Sequence, residues 1–295
     1  MNKFLALLIL IYSNLSYSYW LGAEFRYGES APSFKLSNEE NSLTFNPNPI
    51  NDFTLSMIGP NYSIGIQFVA EKEDDGEFLD SNYSDSKISF YTETYLASLS
   101  YTSFEDFYVL SDRDNLNDNK TDDTLSGTKL SLSTLFFLDG SKLHELHGES
   151  VLKPVNGYGY YLNLTFEHGE IRAGNNLVPA SYENEFPELT GVESLSYDSI
   201  DTELGISGLY AWESFYINSF IQVGPTLSSQ TIDGDEKITK SMVSPLGETM
   251  VGFAYYDSNL QIGVRGKMRI KRNQINGAYI DEEDQVAYGF LTYLF

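Results

Sequence analysis

Residues 260–271 read LQIGVRGKMRIK, and the fold is decided by how that stretch divides. Leu260, Ile262, Val264, Gly266, Met268 and Ile270 occupy one side of a period-two repeat, and Gln261, Gly263, Arg265, Lys267, Arg269 and Lys271 the other. A helix would scatter the four cations around its circumference, whereas a strand sends alternate side chains to opposite faces. The segment therefore reads as a strand with one apolar and one cationic face. Such a strand suits a wall with lipid on one side and a polar interior on the other.

The alternation recurs on either side of this stretch. Tyr62, Ile64, Ile66 and Phe68 alternate with Ser63, Gly65, Gln67 and Val69, and Tyr158, Tyr160, Leu162, Leu164 and Phe166 with Gly159, Tyr161, Asn163, Thr165 and Glu167. The first set of each pair is expected to face lipid. Candidate strands run over 20–30, 51–59, 61–70, 86–95, 97–110, 127–138, 157–168, 199–212, 215–227, 245–256, 259–271 and 285–295. Short connections at Gly59-Pro60, Glu213-Ser214 and Asp257-Ser258 consist of turn formers. They alternate with long polar ones at 71–85, 111–126, 169–198, 228–244 and 272–284, with acidic clusters at Glu71 to Asp75, Asp122-Asp123, Asp233 to Glu236 and Asp281 to Asp284. Short turns on the periplasmic side and long loops outside are the pattern of a transmembrane antiparallel up-and-down β-barrel. The expected fold is thus all-β, with twelve strands and both termini periplasmic. Segment 142–156, patchy in alternation and carrying Pro154, reads as a kinked extension, an inward insert or a further hairpin, which keeps ten or fourteen strands open.

Composition agrees with that reading. Lys3, the apolar run Phe4 to Tyr12 and the small-x-small site Ser16-Tyr17-Ser18 have the layout of a secretory signal peptide, so residues 1–18 are expected to be cleaved and 19–295 to form the barrel. With no cysteine there is neither a disulfide framework nor a lipid-anchoring thiol. After the signal peptide no apolar run approaches the roughly 18 residues of a transmembrane helix, so any span must be made of strands. Tyr (22) and Phe (19) are abundant although mean hydropathy is slightly negative at −0.27, as expected when lipid-facing and lumen-facing residues cancel. A soluble β-sandwich also alternates, but it would hide its apolar face in a single core, whereas here nearly every strand offers an aromatic-rich face. The formal charge of −24 excludes nucleic acid as a partner, because its phosphates would be repelled. Expected partners are outer-membrane lipids and lipopolysaccharide, the barrel assembly machinery that reads a terminal aromatic such as Phe295, and a small-solute cargo. The implied location is the outer membrane of a Gram-negative bacterium.

The candidate functional residues all face the expected lumen. Arg265, Lys267, Arg269 and Lys271 form a basic ladder, and Glu24, Glu167, Glu203 and Glu248 are the acids that would oppose it. A two-residue turn at Asp257-Ser258 would set Glu248 directly across from Lys267. The ladder reads either as a charged constriction that selects anions or orients solutes, or as an internal salt-bridge network plugging a narrow barrel. No metal site is expected: Asp112, Asp114 and Asp118 fail the calcium-loop pattern because Leu116 occupies a ligand position. Nor is a cofactor or catalytic activity expected. His144 and His147, three apart, would point to opposite faces of a strand, and His168, beside Glu167 and Glu170, carries no local signature of a lipid-modifying barrel.

Four features together resemble an uncharacterised family of bacterial outer-membrane β-barrel proteins, a domain of unknown function. They are Asn46-Pro47-Asn48, the pair Gly208-Leu209-Tyr210-Ala211-Trp212 and Gln222-Val223-Gly224-Pro225, the hairpin from Gly252-Phe253-Ala254-Tyr255-Tyr256 to Gly263, and terminal Phe295. Of the Gln- and Ser-rich stretch usual before the seventh strand in such families, only Ser150 and Gly157 remain. The resemblance implies the barrel and carries no activity. The functional expectation is a porin-like channel for small solutes, with a closed barrel acting through its acidic outer loops as the alternative and a lipid-modifying enzyme behind both.

Overall fold

The computed structural model describes residues 21–38, 40–46, 50–59, 62–69, 82–91, 95–110, 125–138, 154–174, 176–179, 182–234, 238–275 and 278–295. Their strands are β1 (Gly22–Ser37), β2 (Ser42–Asn46), β3 (Ile50–Ile58), β4 (Tyr62–Val69), β5 (Asn82–Tyr91), β6 (Tyr95–Leu110), β7 (Leu125–Phe137), β8 (Gly157–Ala173), β9 (Val192–Trp212), β10 (Phe215–Gly234), β11 (Ile238–Tyr256), β12 (Leu260–Ile275) and β13 (Ala278–Leu294). Apart from β2 and β3, neighbours in sequence pair antiparallel, and β13 closes on β1 from Gly22↔Leu294 to Ser37↔Tyr279. β2 and β3 both pair with β1, at Phe34↔Phe45 and from Ser30↔Ile50 to Gly22↔Ile58, and occupy one place in the wall. The result is a closed antiparallel barrel of twelve strands. Above the short β4 and β5, β2 pairs directly with β6, from Thr44↔Leu110 to Asn46↔Tyr108.

Closure is what a lipid environment demands, since an open edge would leave backbone N–H and C=O groups without partners. The outer face is correspondingly apolar. Tyr158, Leu204, Tyr210, Val223, Val243 and Val264 are each at least 60% exposed, a burial pattern that only a nonpolar surrounding tolerates. At the end carrying both termini, Tyr210, Trp212, Phe215 and Phe253 stack in sequence at centroid distances of 5.8, 6.1 and 5.8 Å, forming part of an aromatic girdle.

The wall is lopsided. β3, β4 and β5 have 9, 8 and 10 residues, close to the roughly 9–11 that cross a bilayer. β9, β10 and β11 have 21, 20 and 19, and so project beyond it. The stretches expected as loops at 228–244 and 272–284 are therefore mostly strand, and 169–198 is strand at both its ends. The physical reason lies in the pattern. Within the membrane Ile200, Leu204 and Ile206 point out while Ser199, Asp201 and Glu203 point in; above it the polarity inverts, so that Leu195 and Tyr197 point in while Glu193 and Asp198 point out. A polar outer face with an apolar inner one looks like a loop to a reading tuned to apolar-out strands. β5 likewise starts at Asn82 instead of residue 86. The signal peptide and residues 142–153 lie outside the described residues.

Apolar clusters stand at both ends of the interior. At the loop end Leu36, Phe45, Leu125, Leu195 and Ile280 pack with Leu177, Val178, Phe186 and Leu189, contributed by the β8–β9 connection. That connection is tied down by Leu177 N–H donating to the Val192 carbonyl at 2.6 Å and by Asn38 Nδ2 donating to the Glu185 carbonyl at 2.7 Å. At the terminal end Leu135, Phe137, Tyr161, Leu209, Tyr216, Ala254 and Phe290 pack together.

Inward glycines seat the inward tyrosines. Tyr161 lies directly opposite Gly205, and Tyr197 opposite Gly169, so β8 and β9 exchange ring for hydrogen twice. A Cβ at Gly205 would come within 2.3 Å of the Tyr161 ring, whereas one at Gly208, on the outer face, would meet nothing closer than 3.7 Å. Gly205→Val is expected to lower the barrel's unfolding free energy by about 1–3 kcal/mol through overpacking, and Gly208→Ala to leave it nearly unchanged. Urea unfolding of the refolded barrel in detergent, followed by the electrophoretic shift of the folded band, checks both.

The charged lumen as candidate functional site

β12 carries the ladder because its period-two pattern leaves Arg265, Lys267, Arg269 and Lys271 on the inner face while Ile262, Val264, Met268 and Ile270 meet lipid. The ladder is not a bare cationic surface. Lys271 Nζ reaches Glu167 Oε1 at 2.8 Å, Ser199 Oγ at 2.7 Å and Asp201 Oδ2 at 3.2 Å, with the lysine 1% exposed. Arg269 Nη2 lies 3.2 Å from Asp201 Oδ2 and 3.6 Å from Glu167 Oε2, and its Nε lies 3.9 Å from Glu248 Oε2. Lys267 Nζ pairs with Glu248 Oε1 at 3.0 Å. Arg265 Nη1 lies 3.9 Å from Glu24 Oε2, and the guanidinium sits 4.0 Å over the Phe290 ring. Glu24 also takes Thr292 Oγ1–H at 2.8 Å and Arg26 Nε–H at 2.5 Å.

The partner of Glu248 differs from expectation in register but not in face. The β11–β12 turn is centred on Ser258-Asn259, with Asp257 and Leu260 exchanging backbone hydrogen bonds at 2.8 and 3.3 Å, and Tyr256 pairs with Gln261. Arg269 is thereby directly opposite Glu248, and Lys267 reaches the same carboxylate on the diagonal. A change of two in register preserves the face of every side chain, whereas a change of one would reverse it.

Acids outside the expected set complete the network. Asp201, between Glu203 and Ser199 on β9, accepts from Thr226 as well as from Arg269 and Lys271. Lys129 on β7 lies 3.7 Å from Glu282 and 3.8 Å from Asp284. Glu282 further accepts from Tyr197 and Asn273. A signal for these existed in the sequence, because Asp201 shares the inner parity of Glu203. The β13 acids, by contrast, sit in a stretch that reads as a loop.

The interior is divided between two kinds of wall. On β8 to β12 the inner face carries most of the ion pairs. On β3 to β7 many inward residues are small hydroxyls, among them Ser56, Ser63, Ser89, Ser98, Ser100 and Ser131, with Asp85, Lys87 and Lys129 between them, and they line a cavity of about 320 Å³. Glu203, Glu248, Lys267 and Arg269 reach that cavity from the opposite wall, while Arg265 and Lys271 remain inside the network.

His168, on the outer face, bonds Asp198 at 2.8 Å. The row across the sheet runs Leu130, His168, Asp198, Ser229, Ser241, so the carboxylate, and not the imidazole, stands beside the hydroxyl. His144 and His147 lie outside the described residues. No group of three or more potential metal ligands occurs among the described residues.

No family model matches the chain, and no curated protein matches it. Among solved structures it is similar to the outer membrane protease OmpT from Escherichia coli, at 13% identity and a TM-score of 0.41 over 95% of this chain and 98% of that one. It is also similar to the translocator domain of autotransporter NalP from Neisseria meningitidis, at 9% identity and 0.38 over 100% and 95%. The toluene transporter TodX of Pseudomonas putida matches at 10% identity and 0.32 over 93% and 90%.

Removing one buried partner should expose the cost of the network. Lys271→Met would leave two buried carboxylates, Glu167 and Asp201, sharing Arg269 as their cation, and is expected to destabilise the barrel by about 3–5 kcal/mol. Lys267→Met, at a side chain one-third exposed, should cost less than about 1 kcal/mol. Parallel urea unfolding of the two variants in detergent decides the order.

Proposed function

For this outer-membrane β-barrel we propose a gated passage for small polar solutes that runs along the hydroxyl-lined half of the lumen. The observation that carries the reading is the polar cavity of about 320 Å³, lined on β3 to β7 largely by serines and on β9 to β12 by Glu203, Glu248, Lys267 and Arg269. Serine and threonine hydroxyls can donate and accept, and so can replace the water of a hydroxylated solute without holding it tightly. The network opposite would hold the wall rigid and present Lys267, Arg269, Glu203 and Glu248 as the charged groups a solute meets. Because the ladder cations contact carboxylates, the reading favours neutral or cationic solutes over anions. The β8–β9 connection at the loop end would serve as the gate, since Leu177, Val178, Phe186 and Leu189 cover that mouth. No catalytic step belongs to this reading.

A closed barrel that works only through its acidic outer loops is the second reading. It is favoured by the apolar clusters at both ends of the cavity.

Planar-bilayer recording of the refolded chain tests the pair. The passage reading expects unitary conductance that falls several-fold in Ser100→Phe, which fills the cavity, and a shift of selectivity toward cations in Lys267→Gln. A correctly inserted but silent barrel would sink the passage and leave the closed barrel standing.

A further inference from the structure

Glu203 is a buried lumen carboxylate that the ion-pair network leaves out. It is 1% exposed, faces the cavity, and has no ion-pair partner within 4.0 Å among the described residues. Its Oε2 accepts from Asn163 Nδ2 at 2.9 Å, and Asn163 is itself fixed by Ser133 Oγ–H at 2.8 Å. Its Oε1 has no hydrogen-bond partner. Beside it Gln222, 3% exposed, donates through Nε2 to Glu248 at 3.3 Å and leaves its Oε1 likewise without a partner. The nearby cations are already committed: Lys267 to Glu248 at 3.0 Å, and Arg269 to Asp201 at 3.2 Å and to Glu167 at 3.6 Å.

An isolated ionised carboxylate in a dry site is strongly unfavourable unless a cation or hydrogen-bond donor reaches it. Both oxygens are left to donors from the cavity side, and Ser98 and Ser100 of β6, three strands round the wall from β9, line the same cavity. We propose that the cavity binds a monosaccharide-sized polyol bearing one protonated amine, with the ammonium on Glu203 Oε1 and Gln222 Oε1 and the hydroxyls against the serine wall. A primary ammonium supplies three donors, and its bond to a carboxylate is of the stronger, charge-assisted kind. A volume of about 320 Å³ has room for one sugar ring. The formal charge of −24 would concentrate such a cation at the mouth.

This inference takes its biological sense from the passage reading, and its test does not require conduction. D-Glucosamine and D-glucose are titrated calorimetrically into the refolded barrel in detergent micelles at fixed ionic strength. Saturable glucosamine binding is expected, roughly tenfold or more tighter than glucose and weakened at least as much by Glu203→Gln. Ser100→Phe, which fills the cavity from β6, should abolish it and stands in should the Gln variant not fold. Equal affinity for glucose, unchanged affinity in Glu203→Gln, or no binding by a folded wild-type barrel would overturn the assignment. A barrel that binds glucosamine but never conducts would overturn the passage alone, and one that conducts but ignores glucosamine would overturn this site alone.

Discussion

The pairing of β1 with β13 is the constraint on which the rest of the structure depends. In hydrocarbon each unpaired backbone group costs several kilocalories, so a sheet in a membrane must close or fail. Once it closes, every strand has one face toward lipid and one toward a confined interior. Phe295 N–H donating to the Leu21 carbonyl at 2.8 Å extends the seam to the last residue of the chain.

Closure also creates the electrostatic problem that the interior solves. A wall rich in Arg, Lys, Asp and Glu confined to a narrow lumen cannot be fully hydrated, and buried ions repay their desolvation only when every one is paired with good geometry. The cluster of Glu167, Asp201, Arg269 and Lys271 does this through shared contacts, each cation touching two of the same acids. Most of the paired charge stands on β8 to β12, and the wall from β3 to β7 sets small hydroxyls around Asp85, Lys87 and Lys129, so that a polar cavity remains between them. Glu203, at the boundary between the two, inherits the network's burial without its compensation.

The apolar ends follow from the height of the wall. Strands that outrun the bilayer lose lipid as their outer solvent and gain water, so their apolar residues turn inward and build a cap around Leu177, Phe186 and Leu189. The inversion between Tyr197, facing in, and Ile200, facing out, marks where the outer solvent changes.

All twelve wall strands, their order and the faces of residues such as Tyr160, Tyr161 and Lys271 were legible in the sequence, because a period of two leaves only two faces and lipid accepts only one kind of side chain. The inward orientation of Glu24, Glu167 and Glu203 follows from the same parity. What only the tertiary structure decided is which of these groups meet. The pairing of Glu248 with Arg269, the recruitment of Asp201 and Glu282, the seating of Tyr161 on Gly205 and the exclusion of Glu203 all depend on register and on contacts across the lumen. Alternation is blind to both: a shift of two residues leaves every face unchanged, and strands far apart in sequence become neighbours in the interior only when the barrel has closed.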